Sequence, residues 1–116
     1  MKLSVAIADE HALPSAFVVF RGIEKSILTA KSLGFDGVEL ALKRPDEIDS
    51  ESVQRLLTDN QMEVSCISTG QVLADLGFSF SDEDTNRRSS LISMFKEFID
   101  LGAKFGVPVN VGRVRG

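Results

Sequence analysis

The chain has 116 residues, 43% hydrophobic and 26% charged, with a net charge of −4. That is the size of one compact domain, or of part of a larger one, and the composition excludes a disordered segment. The acidic balance excludes the diffuse basic surface of a non-specific nucleic-acid binder and the polybasic stretch of a membrane-surface protein.

A single cysteine, Cys66, rules out an internal disulfide framework and any multi-cysteine zinc site. No apolar run approaches the ~18–20 residues of a membrane span. The opening Met1-Lys-Leu-Ser-Val-Ala-Ile-Ala has too short an apolar run for a secretory leader, and Asp9-Glu10 ends it. It reads as the first strand of a cytoplasmic protein.

Residues 2–8 alternate, with Leu3, Val5 and Ile7 on one side and Ser4, Ala6 and Ala8 on the other. Both sets are apolar or small, as in a buried parallel strand. A long connection over 9–22 contains Pro14 and the apolar patch Phe17-Val-Val-Phe20. From Ile23 the period turns helical through Ile27, Ala30 and Leu33, and Gly34 offers a left-handed stop. Residues 34–42 form a second strand, with Val38, Leu40 and Leu42 opposite Gly37, Glu39 and Ala41. Ser50 is the expected N-cap of a helix carrying Val53, Leu56 and Leu57. Residues 62–68 give a third strand, closed by Thr69-Gly70, and a second long loop spans 70–81. Ser81-x-x-Asp84 has capping-box spacing. The helix after it carries Leu91, Ile92, Phe95, Phe98, Ile99 and Phe105 and stops at Gly106. A fourth strand over 107–111 runs out into Gly112-Arg-Val-Arg-Gly116.

Strand–helix alternation with short buried strands predicts a parallel sheet with right-handed crossovers. The expected fold class is α/β: a parallel (β/α) half barrel of TIM-barrel type, with four strands and three helices. Ser4, Ala6, Ala8, Gly37, Glu39, Ala41, Asn110 and Gly112 are small or polar, where a covering helix layer would want large aliphatics. The first strand is not followed by the glycine-rich phosphate loop of a doubly wound nucleotide-binding sheet. A flavodoxin-like domain would need a fifth strand. An eight-stranded barrel typically takes ~250 residues. Residues 1–116 are therefore expected to be a single unit, the N-terminal half of such a barrel.

On that frame the candidate substrate-binding residues lie on the inward face or at the carboxyl ends of the strands. Glu39 is a carboxylate on a buried strand, which needs a partner, and Asn110 is placed to meet it across the layer. His11 lies in the loop after the first strand, and Ser68 ends the third. Arg113 and Arg115 follow the fourth, spaced to hold a phosphate or carboxylate. Against these stand plain alternatives: an internal ion pair at Glu39, a loop histidine, a turn-capping hydroxyl and solvated terminal arginines. Cys66 reads as a small core residue. The 17–20 patch is either buried under further structure or a partner surface.

The segment Ala30-Lys-Ser-Leu-Gly-Phe-Asp-Gly-Val-Glu-Leu-Ala resembles the helix-1/strand-2 signature of the sugar-phosphate isomerase/epimerase family, the xylose-isomerase-like TIM barrels. Residues 1–7 resemble that family's opening strand. Val64-Ser-Cys-Ile-Ser-Thr-Gly and Val109-Asn-Val-Gly-Arg-Val-Arg-Gly resemble its third and fourth strands more loosely. The resemblance implies an isomerase or epimerase of a small sugar or sugar phosphate, working by proton transfer next to a carbonyl. It also implies a divalent metal (Mn, Mg, Co or Zn) held by two Glu, an Asp and a His of the second half. No catalytic or metal-binding residue of 1–116 matches that set, so the chain alone is expected to be inactive. The related apurinic-site endonucleases place histidines at the ends of strands 3 and 4. Here those ends read Ser68-Thr69-Gly70 and Gly112-Arg113, which disfavours nucleic acid. The alternative is a binding or structural module without catalysis, in which two copies pair through exposed sheet edges to close a barrel.

Overall fold

The computed structural model describes residues 1–14 and 16–111, the side chains of 73–75 excepted. Gly112, Arg113 and Arg115 therefore lie outside the described residues. The elements are β1 (Ser4–Ala8), β2 (Phe20–Arg21), α1 (Ile23–Ser32), β3 (Gly37–Ala41), a 3₁₀ turn (Pro45–Glu47), α2 (Ser50–Asp59), β4 (Glu63–Ser68), α3 (Gly70–Leu76) and α4 (Thr85–Phe105). They build one parallel sheet in the order β2-β1-β3-β4. From β1 to β3 to β4 each strand lies beside its predecessor, the sequential order of a barrel wall. The fold is the expected parallel α/β type.

Alternation decides what each face meets. Val5 and Ile7 of β1, Val38 and Leu40 of β3, Leu42 just after it, and Val64 and Ile67 of β4 form one core with the helices. Ile27 and Ala30 of α1, Val53 and Leu57 of α2, and Leu91, Phe95, Phe98 and Leu101 of α4 pack onto them. Phe98 is fully buried and meets Phe95 edge-on, with ring centroids 5.6 Å apart. Phe80 meets Phe95 in the same way at 5.1 Å. Such pairs add ~0.5–1.5 kcal/mol beyond the area they bury.

Two expected N-caps move. Asp49, not Ser50, caps α2, its Oδ1 accepting from the amides of Glu51 (3.1 Å) and Ser52 (3.4 Å). Asp84, not Ser81, caps α4, accepting from Asn86 (2.8 Å) and Arg87 (3.3 Å). In both cases a carboxylate at the helix start satisfies two orphan amides and suits the positive end of the helix. Gly106 stops α4 at φ +69°, as its position suggested.

Three further differences concern the connections. The long loop after β1 contains β2, two residues pairing with Ile7 and Ala8 on β1's outer edge. The 70–81 loop contains a fourth helix, α3, too short for its period to stand out in the sequence. The segment expected as a fourth full strand makes a single bridge, Val109 to Ile67, in which Pro108 O accepts from Ile67 N and Asn110 N donates to Ile67 O. Pro108 has no N–H to extend that ladder.

Candidate functional site

The sheet face turned away from the helices carries the small and polar positions: Ser4, Ala6, Ala8, Gly37, Glu39, Ala41, Cys66 and Ser68. Glu39 is half-buried there, and its partner is Cys66: the thiol donates to Glu39 Oε1 at 3.1 Å. The expected partner, Asn110, is exposed and engaged elsewhere. Its Oδ1 accepts from Thr69 N (3.1 Å), and the buried Thr69 hydroxyl donates to Asn110 O (2.7 Å). Asn110 and Thr69 therefore clasp the end of β4 to the last described segment, and Asn110 does not reach Glu39. Ser68 lies on β4 opposite Ala41, two residues beyond the Glu39–Cys66 pair and on the same face.

A bulge puts Cys66 there. Val38 pairs with Val64, but Glu39 pairs with Cys66, so Ser65 is an extra residue in β4. Strict alternation from Val64 would have sent Cys66 into the helical core and Ile67 onto the polar face. The insertion reverses both, as bulges do when they re-aim side chains. Ile67 is fully buried and Cys66 half-buried. The expectation that Cys66 is a core residue is thus corrected to a polar-face residue paired with a carboxylate. The signal was present in sequence: Val64 and Ile67, two large aliphatics three apart in a short strand, cannot share a face unless a residue is inserted.

Burial, then the hydrogen bond to Glu39, pushes the Cys66 thiol up to about 11. It is a protonated donor at neutral pH and not a nucleophile. Sequence reasoning also missed Gln71. It is buried at the start of α3, and its Nε2 donates to Ala41 O at 2.9 Å, tying α3 to the carboxyl end of β3.

His11 sits elsewhere. It faces an open cleft of about 530 Å³ at the carboxyl ends of β1 and β3, shared with Asp9, Glu10, Lys25, Glu47 and Asp49. Its backbone N–H donates to Asp9 Oδ2 (3.0 Å), and its Nε2 lies 3.7 Å from Glu10 Oε1. The ring is 81% exposed. The structure therefore separates His11 from Glu39 and Ser68, which share the sheet face. Among the described residues no group of three or more His, Cys, Asp or Glu is arranged to hold a metal ion. No helix is long and apolar enough to cross a membrane.

No protein-family model and no curated protein sequence matches the chain. Among solved structures, it resembles a D-psicose 3-epimerase crystallised in the presence of D-fructose, with a TM-score of 0.64 at 18% identity. The match covers 92% of this chain and 35% of that one, so the chain spans about a third of the epimerase's length. At that identity the likeness shows a shared fold: a sequential parallel sheet with its helices outside.

Proposed function

We propose that this chain is part of the wall of a sugar isomerase/epimerase barrel, its polar sheet face lining the sugar site. The observation that supports it most is the face itself: a row of small residues with a half-buried carboxylate, in a fold matched over nearly the whole chain by an epimerase. Small side chains leave room for a ligand, while Glu39 and Ser68 offer oxygens to sugar hydroxyls. Orientation of the substrate is the contribution of these residues. His11 belongs to the rim, and Arg113 and Arg115 remain proposed anion contacts. The proton transfer and the divalent metal expected from the family resemblance lie with residues outside this set. The described residues do not fit a metal.

The test uses the full chain with D-fructose. Chemical-shift perturbation is expected at Glu39 and Ser68, weak and saturable, without exchange of sugar carbon-bound hydrogen for solvent deuterium. Absence of any perturbation on that face removes the sugar-lining reading. Measured exchange overturns the assignment of the chemistry to other residues.

A second reading is closure of a barrel by two copies, without catalysis. It is favoured by the bare sheet face and by Phe17 and Val19, which are 82% and 65% exposed in the loop along β1's edge. β2 works against it. Val19 N and Gly22 N already donate to Ala6 O and Ala8 O, so β1 offers only its amino end to another strand. A solution mass near twice that of the chain, lost on Ser4→Pro, whose backbone faces that open edge, would support it.

A further inference from the structure

We infer that Cys66 is a positioning residue for Glu39: the β4 bulge delivers its thiol to one carboxylate oxygen, fixing the carboxylate's orientation and leaving the other oxygen for a ligand hydroxyl. The role of the free oxygen rests on the sugar-lining reading above; the positioning itself does not.

Three observations carry it. The bulge interrupts β4 at Ser65, immediately before Cys66, and without it the thiol would face the helices. The inserted Ser65 is itself tied down, its Oγ 2.8 Å from Ser4 Oγ and within 3.3 Å of Val38 O, so the kink is anchored on the adjacent β3 and, across it, on β1. The sulfur then sits 3.1 Å from Glu39 Oε1, the one side-chain hydrogen bond to Glu39 among the described residues. A half-buried carboxylate with one donor is held in one rotamer yet keeps acceptor capacity. A thiol is a weak donor, so it orients the carboxylate without neutralising it. Its raised affinity for its proton keeps it a donor throughout the neutral range.

The composition makes this directly measurable. Cys66 is the sole cysteine, so the S–H stretch in the infrared belongs to it alone. The chain has no tyrosine, so ultraviolet absorbance in alkali reports its thiolate without tyrosinate beneath it. In the full-length chain the S–H band is expected at the low frequency of a hydrogen-bonded thiol. Glu39→Gln, which keeps shape and removes the charge, should move it toward the free-thiol frequency. The thiol should then titrate lower, staying above an ordinary cysteine because burial is the larger cause. Packing alone would move neither signal. Cys66→Ala should broaden the Glu39 carboxylate carbon signal as its rotamers average, and Cys66→Ser, which retains a donor, should restore it in part. An S–H band unchanged by Glu39→Gln overturns the proposal, as does a Glu39 signal unaffected by Cys66→Ala. Added D-fructose separates the two readings. A shifted S–H band supports both. An unshifted band in a protein that passes the Gln and Ala tests leaves the positioning standing and removes the sugar.

Discussion

The two faces of the sheet come from the same strands and differ in what they ask of each residue. On the helical face, Ile7, Val38, Leu40 and Ile67 are sealed by α1, α2 and α4, and stability comes from packed volume. On the opposite face, Ser4, Ala6, Glu39, Cys66 and Ser68 meet no helix layer, and discrete hydrogen bonds join Glu39 to Cys66 and Ser4 to Ser65. One face specifies the fold; the other is kept small and polar at no benefit to the core. Positions that break the local preference for large strand aliphatics without stabilising the fold are where function is expected.

The contrast should appear as a gradient of mutational cost. Phe98→Ala, at the centre of the helical face, should cost about 3–5 kcal/mol in chemical denaturation, since it removes a fully buried ring and its edge contact with Phe95. A loss under 1 kcal/mol would mean that α4 is not sealed onto the sheet. Gly37→Ala tests the boundary between the faces. Its added methyl would lie 2.5 Å from Glu63 O, a backbone atom that cannot step aside, so a cost of about 1–3 kcal/mol is expected.

Much of this was legible in the sequence, and the failures have physical causes. The three long strands, α1, α2, α4 and the inward set Ser4, Ala6, Ala8, Gly37, Glu39 and Ala41 follow from periodicity, because burial of one face imposes a period. β2 and α3 escaped because two and seven residues are too few to show one. The caps fell one and three residues from the expected serines, because nearby aspartates compete for the same amides. The Glu39 partner was misassigned for a deeper reason. Alternation assumes a constant phase, and one inserted residue at Ser65 reverses every side chain after it. Asn110 lost its inward role because the segment holding it makes a single bridge and is clasped by Thr69.

Smaller effects refine the helical side. Asp84→Ala should cost about 1 kcal/mol by uncapping α4. Asp82 supports the same helix start: Arg87 Nε donates to its Oδ2 at 2.7 Å, and this pairing holds the Asp82 carboxyl below its ordinary range. A carboxyl that binds its proton less readily folded than unfolded stabilises at neutral pH. That contribution should fade as pH falls through the carboxylate range. The melting-temperature gap between wild type and Asp82→Asn should therefore be present at neutral pH and close in acid. A gap that widens in acid would reverse the assigned sign.

The smallest stability effect is expected at Glu39, the position proposed to face the sugar. Glu39→Gln keeps the volume and an acceptor for the Cys66 thiol, and it removes a charge that half-burial makes costly. Losing a charge-assisted bond and losing a desolvation cost oppose each other, so unfolding free energy should stay within about 0.5 kcal/mol of wild type. A core position behaves otherwise: nothing offsets the volume lost at Phe98. Denaturation of the two variants side by side therefore decides what kind of residue Glu39 is. Near-neutrality marks a carboxylate retained for something other than the fold. A loss of several kcal/mol would mean that Glu39 anchors an internal network, and the polar face would then be a second structural surface.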